Sequence, residues 1–477
     1  MEITSFHFLL FVLGVLIIYH VLPHRAQNYW LLLASYVFYI FWSWKFAILL
    51  LFSTVFHFEL AKHLRKDNQG RPILLWLGVA ANIILFLIFK ASSFYLYRLT
   101  TLLDQLGIQT GLGALQIVIP LGLSYYVLQQ ISYLIDVYRG QITAASNRVD
   151  FALYLAYFPK MVAGPIERAR SFLPILARPR KVDNQGLSRS LTLILVGLTR
   201  KLLIANLLFA YTPWKLLNSN PSTFSKLELI GWLVIHSFGL YNDFAGYTSI
   251  VRGVSGLFGI ELSSNFNIPY FSKSFTEFWN RWHITLSQWL RDYIFFPTSR
   301  ALARHFPNRN AWQNLVIPPL VTMLVSGIWH KPNWQMLLWG GMHGSYLVAE
   351  RLIGLWRPKW IQNKKGGKLS WVNIAVVFFL VTLAWVPFSM GLPTAFHFWK
   401  ALWLGKTLGL TDYRLAYSLA VLVPAICLDW AQSKGADEVF FLQQKWGVQA
   451  VLLATVIILI LIVTDLGPGQ PFIYQGF

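Results

Sequence analysis

The chain has 477 residues, of which 56% are hydrophobic and only 12% charged, about half the charged fraction of an ordinary soluble domain. That balance excludes a soluble enzyme and reads as an all-α, polytopic membrane protein. A net charge of +21 would in a soluble chain point to nucleic acid, but here the basic residues lie in loops between apolar runs, as on a cytoplasmic face, and the 36 Phe, 21 Trp and 21 Tyr suit interfacial belts. Membrane lipid is therefore the expected surround and no nucleic-acid partner is expected.

Runs apolar enough to span, at about 20 residues per helix, lie at 6–22, 29–60, 72–90, 115–137, 190–209, 228–248, 313–330, 334–350, 371–388, 414–430 and 448–466. The run at 29–60 holds two short spans broken around Trp42, Ser43, Trp44 and Lys45, so the count is about 11 or 12 transmembrane helices. The first run lacks a basic leader and a small-residue cleavage site, so it reads as a retained span. The whole chain, 1–477, reads as one integral-membrane domain. The lone Cys427 sits in an apolar run as a core residue and excludes disulfides within the chain and CxxC metal sites.

Four basic clusters set the orientation: His63, Arg65, Lys66 and Arg71; Arg168, Arg170, Arg178, Arg180, Lys181 and Arg189; Arg300, Arg304 and Arg309; and Arg351, Arg357, Lys359, Lys364, Lys365 and Lys368. All four belong on the cytoplasmic side, which places 91–114, 211–226, 391–413 and the amino terminus outside. Two stretches are not ordinary spans. Residues 151–170 hold Pro159, Lys160, Gly164 and Pro165 in an apolar context, so a re-entrant or interfacial hairpin is expected.

Residues 276–297 read as an amphipathic helix along the cytoplasmic boundary or dipping into the protein. Arg281, Thr285, Gln288 and Asp292 share one face; Trp279, Leu286, Leu290 and Ile294 share the other, bounded by Pro269 and Pro297. His283 falls on the apolar face. Such a His is either a hydrogen-bonded core residue or, at membrane depth, a functional group. His57, Glu59 and Asn82 are further polar residues in apolar surroundings, and Asp243 sits in YNDFAGY, where Asn242 and Gly246 suggest a helix break; the packed, hydrogen-bonded role is the simpler one for each.

A GxSxG elbow, a Walker A loop, a GxGxxG after a strand and an HExxH are all absent. A serine hydrolase, an NTP-driven pump and a zinc protease are thus unsupported, and no metal site is expected. The eleven histidines leave imidazole as the natural general base near neutral pH.

Five segments carry a family likeness: FPKMVAGPIER (158–168), YNDFAGYTSI (241–250), NFNIPYFSKSFTEFWNRWHITLSQWLRDYIFFP (265–297), SGIWHKPNWQMLLWGGMHG (326–344) and PFIYQGF (471–477). Together they resemble the membrane-bound O-acyltransferase superfamily, and within it the bacterial branch of alginate and polysaccharide O-acetyltransferases, with a motif core over 158–344. The resemblance implies a ring of helices around a thinned centre with a central channel. It places the family's catalytic histidine on His330 and the upstream polar position, 47 residues earlier (330 minus 283), on His283. Asp243, Lys160, Asn280, Trp329, Ser287 and His343, in the same motifs, become candidates for lining the substrate site or channel. Bacterial members commonly carry Gly after the motif histidine, where this chain has Lys331, a bulk and charge that bear on which acceptor or partner docks.

The resemblance further implies a thioester donor made in the cytoplasm, acetyl-CoA as co-substrate, with no bound cofactor. Delivery would be outward, through an extracytoplasmic acyltransferase or esterase-like partner, to an exported polysaccharide such as alginate, from a multi-pass protein of the bacterial cytoplasmic (inner) membrane. His330 would take the proton of the attacking hydroxyl and His283 would orient or polarise the carbonyl. If 313–330 crosses from the basic side, His330 ends about 25 Å along it, near the outer face, so either the span starts deeper or the channel carries the acyl arm most of the way. D-alanyl transfer to teichoic acid from a carrier protein shares the core motifs, and a polysaccharide exporter with proton-relaying histidines is the reading from another class.

Overall fold

The computed structural model describes residues 2–66, 69–108, 118–308, 310–356, 368–405, 409–410, 412–435 and 437–464. PFIYQGF, Arg309 and, in the fourth basic cluster, Arg357, Lys359, Lys364 and Lys365 lie outside the described residues. The protein is all-α: among the described residues the apolar runs are mainly helical, and the one strand pair is the antiparallel ladder of Arg65–Lys66 with Gln69–Gly70. Among the described residues six helices are long and apolar enough to cross a membrane by length and composition, namely Trp44–His63, Pro72–Ala91, Asn184–Tyr211, Ser370–Ser389, Tyr413–Gly435 and Trp446–Val463, with Phe6–Val21 apolar but shorter. Other runs are helical too but carry inward polar groups, Gln129, Gln130 and Asp136 in one, Asp243 and Arg252 in another. Such groups lower mean hydropathy without exposing polarity to lipid.

The chain falls into two compact units, Met1–Ile194 with Ile250–Ser263, and Leu195–Ser249 with Ser264–Phe477. The first contains α1 (Phe6–Val21), α2 (His24–Ile40), α3 (Trp44–His63), α4 (Pro72–Phe86), α5 (Ser92–Gln105), α6 (Leu123–Tyr138), α7 (Arg148–Ala156), α8 (Ala169–Ala177) and most of α9 (Asn184–Leu198). The break between α2 and α3 falls at Phe41 to Ser43, where Ser43 is extended and ends the helical run. His57 and Asn82 are packed residues: His57 Nδ1 donates to Ser53 O at 2.7 Å, and Asn82 Nδ2 donates to His57 Nε2 at 2.5 Å and to Gly78 O at 2.9 Å. This seam ties α3 to α4 as polar side chains do where the surround offers no water.

Between α7 and α8 the chain makes the broken, buried hairpin that Pro159 and Pro165 demand. Several of its polar groups bond inside the protein: Phe158 N donates to Ser35 Oγ at 3.0 Å, and Glu167 accepts from Ser263 N at 2.7 Å and Ser263 Oγ at 3.1 Å. Gly164 is required there, because a Cβ would stand 2.4 Å from Lys160 Cα.

The second unit begins in the last turn of α9 and continues through a π-turn, Thr199–Ala205, into α10 (Asn206–Tyr211) and α11 (Trp214–Ser219). It then contains most of α12 (Lys226–Gly256), followed by α13 (Phe275–Arg281), α14 (Ile284–Leu290), a second π-turn (Arg291–Phe295), α15 (Phe296–His305), α16 (Trp312–His330), α17 (Trp334–Trp356), α18 (Lys368–Ser389), α19 (Leu392–Leu404), α20 (Tyr413–Gly435) and α21 (Trp446–Thr464). The expected break near Asp243 is not there, since α12 runs unbroken. Gly246 instead lets the backbone approach a neighbour, a Cβ there lying 2.7 Å from Gly197 O and 2.8 Å from Lys201 N.

Candidate active site

Three histidines of the second unit, His283, His330 and His343, are joined through tryptophan rings. The first lies at a break that the sequence did not announce. Residues 276–297 are not one helix: α13 stops at Arg281, Trp282 is extended, and His283 takes the left-handed conformation at φ +41° before α14 starts. A non-glycine residue there carries strain of order 1–3 kcal/mol, so something must hold it. Asn265 does so, its carbonyl oxygen accepting from Ile284 N at 2.9 Å and its Oδ1 from Thr285 N at 3.3 Å and Thr285 Oγ1 at 2.7 Å. The helix also passes through Pro297, which sits in the first turn of α15 where its missing N–H costs nothing.

The amino end of α13 is fixed twice. Ser274 Oγ accepts from Glu277 N at 3.0 Å, and Glu350 of α17 takes Phe275 N at 2.5 Å and Thr276 Oγ1 at 2.6 Å. The result sets the His283 ring, 1% exposed, perpendicular to Phe244 of α12 (centroids 4.9 Å, planes 89°) with Trp329 at 6.1 Å. Burial pushes its pKa down to about 3, so the ring is neutral at working pH.

His330 ends α16, and α16 and α17 pack as a tight antiparallel pair because glycines face each other's backbone. A Cβ on Gly327 would stand 2.2 Å from Met336 O, and one on Gly340 2.4 Å from Met323 O. Pro332 breaks the chain between them, and Asn333 Oδ1 accepts from Met336 N at 3.0 Å to cap α17. His330 is 4% exposed and its ring lies 4.8 Å from Trp329, 5.3 Å from Trp339 and 5.3 Å from Phe388. Lys331, by contrast, is exposed.

His343 is fully buried one turn beyond Trp339, with ring centroids 4.9 Å from Trp339, 5.0 Å from Trp279 and 6.2 Å from Trp385. Neither of its ring nitrogens meets a hydrogen-bond partner among the described residues. Trp329 thus stands between His283 and His330, and Trp339 between His330 and His343. Imidazoles enclosed by indoles form a water-poor setting in which a proton can be taken or given and a developing charge is weakly screened.

The remaining candidates are dispersed. Asn280 and Ser287 line, with Trp279, Leu290, Met323 and Leu347, a cavity of about 180 Å³ whose rim carries Arg291 and Arg351; Asn280 Oδ1 accepts from Arg291 at 3.2 Å and Ser287 Oγ donates to Trp282 O at 3.0 Å. Asp243 is paired with Lys201 at 2.6 Å. Lys160 belongs to the first unit, where it donates to Tyr154 O at 2.6 Å and lies 5.3 Å from the Tyr154 and Phe172 rings. Sequence reasoning missed Trp339, Phe388, Lys201 and Glu350. For Trp339 a signal existed, since Trp339 and His343, four apart, share a helical face; for the others the partners are distant in sequence.

These features define a polytopic, helical membrane protein with a buried histidine and tryptophan site. The model of MBOAT, the membrane-bound O-acyltransferase family, matches residues 28–390. The chain belongs to that family and is an O-acyltransferase. It is 33% identical over 435 residues to the probable alginate O-acetylase AlgI of Azotobacter vinelandii (90% of this chain, 82% of the relative). It is 32% identical over 436 residues to that of Pseudomonas aeruginosa (90% and 80%), and 28% identical over 410 residues to the peptidoglycan O-acetyltransferase of Helicobacter pylori (78% and 73%).

Proposed function

We propose that this protein moves an acetyl group from a cytoplasmic thioester, acetyl-CoA, toward an extracytoplasmic polysaccharide across a bacterial cytoplasmic membrane, with His330 as general base. The observation that carries the reading is the enclosure of His330 between Trp329, Trp339 and Phe388, one indole from His283 and one from His343. The relatives' names supply the chemical class: alginate O-acetylase and peptidoglycan O-acetyltransferase.

His330 takes the proton of an acceptor hydroxyl as its oxygen attacks the thioester carbonyl. The tetrahedral adduct collapses with loss of thiolate, which receives that proton back from the imidazolium. Neutral His283 donates a ring N–H to the oxyanion, a contact that strengthens as charge develops. The cavity lined by Trp279 and the two arginines suits the donor arm: Trp279 meets the Trp339 ring at 5.9 Å, and the cationic lining favours phosphates. A separate extracytoplasmic protein of acyltransferase or esterase type completes transfer to the polymer.

The test is thiol release from acetyl-CoA in proteoliposomes with a soluble acceptor alcohol. The wild type should turn over, and His330→Ala should lose about 10²- to 10⁴-fold in kcat. Equal rates for the two would remove His330 from the chemistry.

A further inference from the structure

One turn of α12 makes four different attachments with four consecutive side chains. Tyr241 OH donates to Asp429 Oδ1 at 3.2 Å, Asn242 Oδ1 accepts from Arg200 Nη1 at 2.6 Å, Asp243 pairs with Lys201 Nζ at 2.6 Å, and Phe244 meets the His283 ring edge-on. Arg200 also reaches Asp429 Oδ1 at 2.6 Å and Gln432 Oε1 at 2.7 Å of α20. The ion-pair side chains are only 0–4% exposed.

The two cations are adjacent in the chain and bind adjacent residues of α12. Both cations lie in the π-turn Thr199–Ala205, and such turns recur at functional sites. Gly246, one residue past Ala245 and in backbone contact with Gly197 and Lys201, brings the two segments close at the same level.

Stability alone does not account for these charges. Replacing a buried ion pair by well-packed apolar residues is often neutral or stabilising, whereas breaking one side costs about 3–5 kcal/mol. What directional bonds do provide is rotation and register. A slip of one residue in α12 would turn Phe244 about 100° away from His283.

We propose that Arg200, Lys201, Asn242 and Asp243 are positioning residues: they lock the rotation of α12 so that Phe244 presses edge-on against His283 and sets the plane of its ring for the oxyanion contact. The clamp thus acts on the reaction through a phenyl ring and touches no reacting atom. The inference rests on the role proposed above for His283.

The experiment compares wild type, Lys201→Met/Asp243→Leu, Phe244→Leu and His283→Ala in proteoliposomes, with kcat and KM for acetyl-CoA and the thermal midpoint of each. The paired apolar variant should keep a wild-type midpoint and KM while kcat falls 10- to 100-fold, the scale of a displacement near 1 Å at a reacting centre. Phe244→Leu, which leaves every charge in place, should show the same split of kcat against KM. A paired variant that folds and retains wild-type kcat makes the clamp purely structural and overturns the inference. Where that variant does not yield folded protein, Phe244→Leu decides, and wild-type kcat there overturns it equally. Wild-type turnover by His283→Ala would instead strike at the role of His283, a failure distinguishable from that of the clamp.

Discussion

Asn265→Ala isolates the device that bends the chain at His283. The amide is present for its oxygen: Oδ1 accepts from Thr285 N and Thr285 Oγ1, while Nδ2 has no hydrogen-bond partner among the described residues. Thr285 lies in the first turn of α14, so its N–H has no carbonyl within that helix to turn to. Truncation removes both bonds in a site where Asn265 is 1% and Thr285 5% exposed, each worth about 0.5–1.5 kcal/mol net.

That loss matches the 1–3 kcal/mol of strain held at His283, so the balance that keeps φ at +41° is close to even once the amide is gone. The chain gains by relaxing toward a continuous helix over α13 and α14, which swings the imidazole off Phe244. The expected outcome is a fall in kcat of about 10- to 100-fold with KM for the thioester little changed, because the cavity residues Asn280 and Arg291 keep their own bond. The assay is acetyl-CoA thiol release in proteoliposomes beside thermal unfolding of the same preparations. Wild-type kcat in Asn265→Ala would refute the reasoning that this side chain maintains the His283 geometry.

Two further substitutions test the frame around the site. Glu350→Ala leaves Phe275 N and Thr276 Oγ1 without their acceptor and should lower stability by about 1–3 kcal/mol, read as a lower thermal midpoint; an unchanged midpoint would make that anchor dispensable. Gly340→Ala places a methyl group 2.4 Å from Met323 O, forces α16 and α17 apart, and should cost about 1–3 kcal/mol together with activity, since His330 and Trp339 sit on the two helices. Full activity in that variant would mean that the pair tolerates separation.

Much of the architecture is visible in one dimension because it rests on local chemistry. The break near Ser43 and the hairpin at Pro159 and Pro165 follow from residues that cannot continue a helix in lipid. The turn after His330 was legible because Pro332 and Asn333 interrupt two apolar runs there, while the role of His330 came from the family resemblance.

What stayed hidden depends on partners far along the chain. The bend at His283 is imposed from 18 residues upstream by Asn265 (283 minus 265), against a local pattern that favours one amphipathic helix. Asn242 and Gly246 suggested a break for the same reason, yet the Asn is held by Arg200 and the Gly by close backbone contact, so α12 runs on. Asp243 read most simply as a packed, hydrogen-bonded residue, but its partner, Lys201, lies 42 residues away and could not be named.

The central proposal is that His330 removes the proton of the hydroxyl that takes the acyl group from its thioester on the way to the polysaccharide. Its most direct measurement is the acetyl content of the exported polymer in a deletion strain complemented with wild type or with His330→Ala at equal membrane expression. Restoration by the wild type and polymer as bare as in the deletion strain for His330→Ala is the result predicted; full acetylation by His330→Ala would contradict it.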